Sequence, residues 1–279
     1  MSKPTYLVVG HITRDVIPTG NIRGGTALYA AAMAVSLGYE ARIATSGSSS
    51  GQANSLGERI GDVHRIPSEF DTTFEYEWVD GTRIQRLTQR AARIHLADIP
   101  RQWLDSTIWH LGPVADEIDP AIITGIPSPS FLGVTPQGWL RAVDRENVVH
   151  PTAWASADRI LARTDAVVLS RHDIPDAHDC AREWSRGGPA IAVTEAENGT
   201  TVWSAGVATH IPTLRVDLVD ELGAGDVFAT AFFDRLAKGH AAIEAGRFAA
   251  IAASLSVTRS GADSLPSLDD ITSVLDGWT

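Results

Sequence analysis

The sequence is short of residues on which several large functional classes depend. Cys180 is its one cysteine among 279 residues, so no disulfide can form within the chain, which fits a reducing cytoplasm. Lys3 and Lys238 are its only lysines, which leaves 21 arginines among the 23 basic residues. No G-x-x-x-x-G-K-[S/T] pattern occurs, which excludes a P-loop mechanism. Any phosphate charge must therefore be met by backbone N–H groups, arginine and a divalent metal.

Charge and hydropathy exclude further classes. The formal charge of −11 disfavours nucleic acid as a partner, because nucleic-acid binding needs a basic face. No uncharged apolar run reaches about 18 residues, so we expect no membrane span. Lys3 is followed by Pro4 and a strand-like run, which is unlike a secretion signal, and we expect a cytoplasmic location. The hydrophobic content of 44% is enough for a sizeable core.

Short apolar runs alternate with helical patterns along most of the chain. This alternation is typical of an α/β fold with a mostly parallel sheet and helices on its faces. We predict strands at residues 6–10, 41–45, 107–110, 130–134, 166–170 and 190–194. We predict helices at residues 26–37, 153–162, 174–185, 225–238, 241–258 and 268–275.

One segment interrupts the alternation. Residues 73–79 and 82–87 alternate in polarity around Asp80 and Gly81, which predicts a hairpin with a two-residue turn. One face of this hairpin should be covered by the rest of the molecule. An edge hairpin of the main sheet would satisfy the same pattern.

The most informative motif is Gly223, Ala224, Gly225 and Asp226 at the start of an apolar helical pattern. Two glycines allow a tight turn, and the unpaired N–H groups of a helix start suit a phosphate. Asp226 beside such an anion site makes sense as a base that takes a proton from an attacking hydroxyl. The alternative interpretation is an aspartate that caps a helix after a glycine turn.

This motif resembles the second signature of the ribokinase-like (PfkB) carbohydrate kinases, Asp-[Ser/Thr]-x-Gly-Ala-Gly-Asp. Asp220 also matches it, whereas Glu221 departs from the usual Thr or Ser. Four further likenesses follow in family order: the first strand and its Asp within residues 6–15, Gly24 and Gly25, residues 194–199 with Ala196 for a Gly, and residues 257–267. Residues 10–16 and 131–141 look like the myo-inositol kinase branch of the family.

The resemblance implies one ribokinase-like domain over residues 1–279. It implies a three-layer α/β fold and a small β lid formed by about 12–24 and 71–94. It makes the hairpin part of that lid. The expected activity is transfer of a phosphoryl group from ATP to a hydroxyl of a small polyol or sugar, with Asp226 as base. Gly223, Ala224 and Gly225 would supply N–H groups to the transferred phosphoryl.

The resemblance also implies a set of residues that bind the acceptor. Asp15 would accept hydrogen bonds from its hydroxyls, and Gly24 and Gly25 would let the backbone approach it. Tyr29 stands where the family usually has an Asn that contacts the sugar, which weakens a ribose or fructose assignment. Gln137 and Arg141 follow a predicted strand, and Arg141 would steady a phosphate oxygen or a hydroxyl. A surface arginine is the alternative.

For the nucleotide, the resemblance points to Thr194, Glu197, Gly199, Gly223 and Gly225. Asp173 falls where the family has a glutamate tied to Mg²⁺ and the phosphates, so it is the metal candidate. A monovalent cation and a homodimer formed through the lid stay open.

Two other hypotheses remain. One is a nucleoside kinase on the same fold. The other is a ligand-binding homologue without catalysis, which Glu221 and Ala196 favour and the intact Gly-Ala-Gly-Asp motif opposes.

Overall fold

The computed structural model describes residues 3–18, 20–48, 60–79 and 82–278. Its centre is a nine-stranded sheet with the order β15-β14-β13-β12-β9-β8-β1-β4-β5. The strands of this large sheet are β1 (Thr5–Val9), β4 (Glu40–Gly47), β5 (Asp62–Pro67), β8 (Ile108–Leu111), β9 (Phe131–Val134), β12 (Ala166–Ser170), β13 (Ala190–Thr194), β14 (Thr200–Ser204) and β15 (Val207–Ile211). In this spatial order, every pair of neighbouring strands between β13 and β5 is parallel. The pairs β13–β14 and β14–β15, at the other edge, are antiparallel.

Helices cover both faces of the large sheet, because successive residues of a buried strand point to opposite sides. Tyr6 and Val8 pack into one core cluster, and Leu7 and Val9 pack into another. The helices are α1 (Thr26–Ser36), α2 (Ala157–Leu161), α3 (Ala177–Ser185), α4 (Ala224–Ala237), α5 (Ala242–Ser256) and α6 (Leu268–Leu275). The result is the three-layer α/β architecture that the sequence predicts.

A separate four-stranded sheet has the order β3-β2-β6-β7. It consists of β2 (Thr13–Ile17), β3 (Gly20–Gly24), β6 (Thr72–Val79) and β7 (Thr82–Gln89). β2 pairs with β6 in parallel, and the other two pairs are antiparallel. The predicted hairpin therefore lies in this small sheet and not at an edge of the large one. Its turn, Asp80 and Gly81, falls outside the described residues. A third sheet joins β10 (Arg141–Val143) to β11 (Val149–Pro151).

The predicted strands and helices are found within a few residues of their expected ends, with two corrections. Helix α2 begins only at Ala157, because the chain makes a turn in which the Ala157 N–H donates to the Trp154 carbonyl. Helix α3 begins at Ala177, so Pro175 precedes the helix instead of occupying its first turn. Within the described ranges, no helix is both long and apolar enough to cross a membrane.

Candidate active site

A cavity of about 520 Å³ lies between the carboxyl ends of the large-sheet strands and the inner face of the small sheet. Ligands commonly bind at this edge of an open α/β sheet. The large-sheet side contributes Thr26, Thr135, Ser170, Asp173, Thr194, Gly223, Gly225 and Asp226. The small-sheet side contributes Thr13, Asp15, Ile17, Phe74, Tyr76, Trp78, Arg83 and Gln85. Arg141 and Gln137 also line it.

The turn before α4 is fixed by its contact with α1. Gly223 has a φ of 79°, in the left-handed region that favours glycine, and a Cβ there would lie 2.2 Å from the ring of Tyr29. The Ala224 N–H donates to the Glu221 carbonyl oxygen at 3.2 Å. Asp226 stands in the first turn of α4. The N–H groups of Gly225 and Asp226 are thus the ones that the start of this helix can offer to an anion.

The Asp226 carboxylate has an altered proton affinity. Its pKa is raised to about 6, mainly by burial and to a smaller extent by the nearby charge of Asp173. A hydrogen bond from the Thr26 hydroxyl and the charge of Arg141 both act to lower the pKa. A carboxylate with such a pKa is ionised at neutral pH and is a stronger base than an exposed aspartate.

Asp15 lies within strand β2 of the small sheet, past the carboxyl end of β1. Its side chain is buried, and its Oδ1 atom has no hydrogen-bond partner. Burial raises the pKa of Asp15, against the effects of a hydrogen bond from Thr13 and the charges of Arg141 and Arg83. A buried carboxylate oxygen without a donor costs free energy, so it is ready to accept a hydrogen bond from a ligand hydroxyl.

Arg141 is the cation at the centre of the cavity wall. Its Nη1 atom donates to the Val114 carbonyl oxygen at 3.3 Å, and the guanidinium lies 5.8 Å from the centre of the Phe74 ring. Burial lowers the pKa of Arg141, and the nearby carboxylate of Asp173 counters this most strongly. Arg141 thus starts strand β10 facing the cavity; it is not a surface residue.

Asp173 is held by two donors. The Ser170 N–H donates to its Oδ2 atom at 2.8 Å, and the Gln137 amide donates to its Oδ1 atom at 3.3 Å. Within the described ranges no group of three or more His, Cys, Asp and Glu side chains is placed to hold a metal ion. Asp173 and Asp226 nevertheless suit Mg²⁺, which is commonly bound through one or two carboxylates, substrate phosphates and several waters.

Three of the predicted acceptor residues contribute through the backbone or through packing. Gly25 lines the cavity and has a φ of 92°, and a Cβ there would overlap the His11 carbonyl oxygen. A Cβ on Gly24 would lie 2.6 Å from the Asp15 carboxylate. The Tyr29 side chain is buried against Gly223 and is not part of the cavity wall. Tyr29 therefore supports the turn that carries Asp226.

The predicted nucleotide residues are divided by the structure. Thr194, Gly223 and Gly225 line the cavity, whereas Glu197 and Gly199 do not. Gly199 has a φ of 92°, and a Cβ there would lie 2.3 Å from the Ile211 carbonyl oxygen. Its conformation is thus required by the connection between β13 and β14.

Thr26, Tyr76, Arg83 and Gln85 are among the cavity side chains that the sequence analysis does not identify. The last three alternate with outward-facing residues in the predicted hairpin, so its period of two could have identified them once the inner face was known. The position of Thr26, directly after Gly24 and Gly25, could have identified it as a residue near the acceptor.

Comparisons with known proteins agree with this architecture. The model of the pfkB family carbohydrate kinases matches residues 158–269. Fructokinase-2 of Zea mays is 27% identical over 140 residues, which are 47% of this chain and 41% of that protein's length. The chain's match thus spans less than half of that relative.

Two solved structures share the fold over nearly the whole chain. A pyrophosphate-dependent kinase of the ribokinase family, in complex with a pyrophosphate analogue and myo-inositol, superimposes with a TM-score of 0.80 at 19% identity, covering 96% of this chain and 99% of that one. The nucleoside kinase of Methanocaldococcus jannaschii gives 0.76 at 18% identity, covering 99% and 100%. The fold is therefore ribokinase-like. Residues 158–269 are similar to the pfkB family carbohydrate kinases, and the motifs of residues 194–199 and 220–226 lie within that range.

Proposed function

We propose that this protein is a phosphotransferase that moves a phosphoryl group from ATP to a hydroxyl of a small polyol or sugar, with a myo-inositol-like acceptor favoured. One observation carries the proposal: a single cavity joins the partnerless Oδ1 atom of buried Asp15 to Asp226 at a glycine turn and helix start. The free oxygen of Asp15 suits a hydroxyl of a polyol. Asp226 and the helix start beside it suit an attacking hydroxyl and a phosphoryl group.

In the proposed reaction, Asp15 accepts a hydrogen bond from one acceptor hydroxyl and so positions the ring. Asp226 accepts the proton of a second hydroxyl as that oxygen attacks the terminal phosphorus of the donor. Because the pKa of Asp226 is about 6, the carboxylate is in the required form above that pH. The bond between the terminal phosphorus and its bridging oxygen breaks, which releases ADP and the phosphorylated acceptor.

Charge on the transferred phosphoryl is met by two kinds of donor in this chain. The N–H groups of Gly225 and Asp226 lie at the positive end of the α4 dipole. The Arg141 guanidinium has N–H donors beyond the one that contacts Val114. Asp173 would hold Mg²⁺, with Asp226 nearby, and the ion would supply positive charge to the donor phosphates.

Pyrophosphate is the second candidate donor. The cavity is lined by Thr194, Gly223 and Gly225 but not by Glu197 or Gly199, so only part of the residue set predicted for a nucleotide faces it. A similar solved structure belongs to a pyrophosphate-dependent kinase. The same fold in a nucleoside kinase keeps nucleosides as alternative acceptors, and a non-catalytic homologue is the remaining alternative.

We also propose that the small sheet acts as a lid. It supplies Asp15 and five side chains of the β6–β7 hairpin to the cavity, so its approach to the large sheet would exclude water from the donor phosphate. A cytoplasmic location, a homodimer formed through this sheet and the binding of a monovalent cation belong to the same proposal.

The test is transfer from ATP or pyrophosphate to a panel of myo-inositol, ribose, fructose, ketodeoxy sugars and nucleosides, with Asp226→Asn beside the wild type. We expect one acceptor class to respond and the variant to lose about 10²–10⁴ in kcat, the usual contribution of a general base. Acceptor binding, measured by calorimetry, should persist. Near-full turnover in the variant would contradict the role of Asp226.

A second readout of the same variant is stability. The pKa of Asp226 is raised in the folded state, so the folded chain binds more protons than the unfolded chain between about pH 4 and pH 6, and stability contributed by this group falls as the pH rises through that window. Asp226→Asn should therefore raise the free energy of unfolding by about 1–2 kcal/mol at pH 7.5, with little effect at pH 4. Chemical denaturation at the two pH values measures the difference.

A further inference from the structure

The inner face of the small sheet carries more binding surface than one small ring can use. Strands β6 and β7 pair antiparallel, and the side chains on the inner face of this hairpin form three cross-strand pairs. From the inner to the outer end of the cavity these pairs are Phe74 with Leu87, Tyr76 with Gln85, and Trp78 with Arg83.

The three pairs differ in exposure and polarity. Phe74 and Leu87 are buried in a small core cluster. In the middle pair, the Gln85 amide donates to the Tyr76 hydroxyl at 3.2 Å. The outer pair is open, since 65% of Trp78 is exposed. The face thus changes from apolar packing through hydrogen-bonding groups to an exposed aromatic ring.

Register fixes how far the outer pair lies from the acceptor carboxylate. Asp15 is the parallel partner of Phe74, so it lies level with the inner pair. Trp78 is four residues further along β6, which corresponds to about 13 Å of strand. A single six-membered ring held by Asp15 spans about half of that distance and reaches the middle pair. The outer pair is left for another part of the ligand.

The outer pair has chemistry suited to a second ring. Trp78 offers a large aromatic face, and Ile17 and Pro18, which follow Asp15 along the parallel strand direction of β2, add apolar surface to the cavity. The Arg83 guanidinium lies 5.1 Å from the centre of the Tyr76 ring and forms no ion pair with the described residues. Its N–H groups can therefore donate to oxygen or nitrogen atoms at the edge of a ring that stacks on Trp78.

We propose that the acceptor is a sugar or cyclitol that carries a second ring, and that Trp78 and Arg83 bind this ring. The inference rests on the proposed function of the cavity and adds the size of the acceptor to it. The second ring has an apolar face and hydrogen-bond acceptors at its edge, which describes both a glycosyl group and a nucleobase.

The experiment compares matched acceptors with one and two rings: myo-inositol against a glycosyl inositol, and ribose against ribonucleosides. The wild type should give a kcat/KM at least about tenfold higher for one of the two-ring compounds than for its one-ring partner, which corresponds to about 1.4 kcal/mol. Whether the glycosyl inositol or a nucleoside responds identifies the kind of second ring.

The variant Trp78→Ala should remove this preference and change kcat/KM for the one-ring acceptor by less than about twofold. Glu75→Ala, on the same strand but on the opposite face, is the control and should keep the preference. An equal loss for one-ring and two-ring acceptors in Trp78→Ala would overturn the proposal, because Trp78 would then only close over a single ring. A wild type without any preference would also overturn it.

Binding keeps this test independent of turnover. Calorimetry with the Asp226→Asn protein should give tighter binding of the two-ring compound, and this gain should vanish when Trp78→Ala is added. If no compound is phosphorylated while the gain and its loss are observed, the proposed transfer reaction fails and the second-ring site stands. If the binding gain is absent, the second-ring site fails whatever the turnover.

Discussion

The two walls of the cavity are built in different ways. The large-sheet wall is continuous with the main core: Gly223 is pressed against the ring of Tyr29, and the hydroxyl of Thr26 contacts the Asp226 carboxylate. The small-sheet wall rests on a cluster of four buried residues, Phe74, Leu87, Val114 and Ala115, and ends in an exposed Trp78. The groups proposed for phosphoryl transfer thus lie on the large-sheet wall, and those proposed to select the acceptor lie on the small-sheet wall.

This difference has a physical consequence for function. Catalytic groups must be held within fractions of an ångström, and a turn packed into the main core provides that. A sheet with little buried surface can open locally at low cost, as a wall that admits and releases a ligand must. Changes in the first wall should therefore lower kcat, whereas changes in the second should alter KM and acceptor choice.

The largest effect is expected at Gly223. In Gly223→Ala, the new Cβ would overlap the Tyr29 ring, and the left-handed backbone would carry a strain of about 1–2 kcal/mol. The turn must shift, and Asp226 moves with it. We expect kcat to fall by more than about 10², since displacement of about 1 Å can cost that much. Steady-state kinetics measures the loss.

Gly239→Ala is the matched control. Gly239 also has a left-handed φ, 86°, but no atom lies within 4 Å of a Cβ built there. Gly239→Ala should carry the same backbone strain of about 1–2 kcal/mol without an overlap, lower the melting temperature accordingly and keep full turnover. Unchanged kcat in Gly223→Ala would show that the large-sheet wall is not rigid, and the contrast between the two walls would be lost.

The same contrast explains what the sequence could and could not predict. The Gly223–Asp226 motif lies within one helix start, so spacing alone indicates its local structure, and apolar runs such as residues 166–170 indicate buried strands. The strand position of Asp15 depends on the pairing of β2 with the distant β6, which no local pattern shows. The pairing of Trp78 with Arg83 depends on that register as well, and the packing of Tyr29 on Gly223 joins two helices far apart in sequence.

Arg141 links the two walls, and its loss should have the next largest effect. Its charge lowers the pKa values of Asp226 and Asp15. In Arg141→Met, both pKa values should rise, so the acidic limb of the profile of kcat/KM against pH should move above about pH 6. We also expect a loss of about 10² in kcat at high pH, because a donor to the phosphoryl charge is gone.

A pH series of kcat/KM for the wild type and the variant separates these two effects. Arg93→Met provides a control, since Arg93 is an exposed arginine paired with Asp116 on the surface. Arg93→Met should change neither the pH of the acidic limb nor the value of kcat/KM at high pH. An acidic limb at the same pH in Arg141→Met would mean that Arg141 does not face Asp226 in the working enzyme.

The smallest effect is expected at the middle pair of the small-sheet wall. Gln85→Leu removes the amide that donates to the Tyr76 hydroxyl and keeps a similar volume. Because this contact would be similar in the ground and transition states, KM should rise by about three- to tenfold and kcat should stay within about twofold. Ile84→Val, on the opposite face of β7, should change neither constant. Initial rates over a range of acceptor concentrations measure both. A loss in kcat as large as that for Arg141→Met would place the middle pair in the chemical step, and selection and chemistry would then no longer be divided between the two walls.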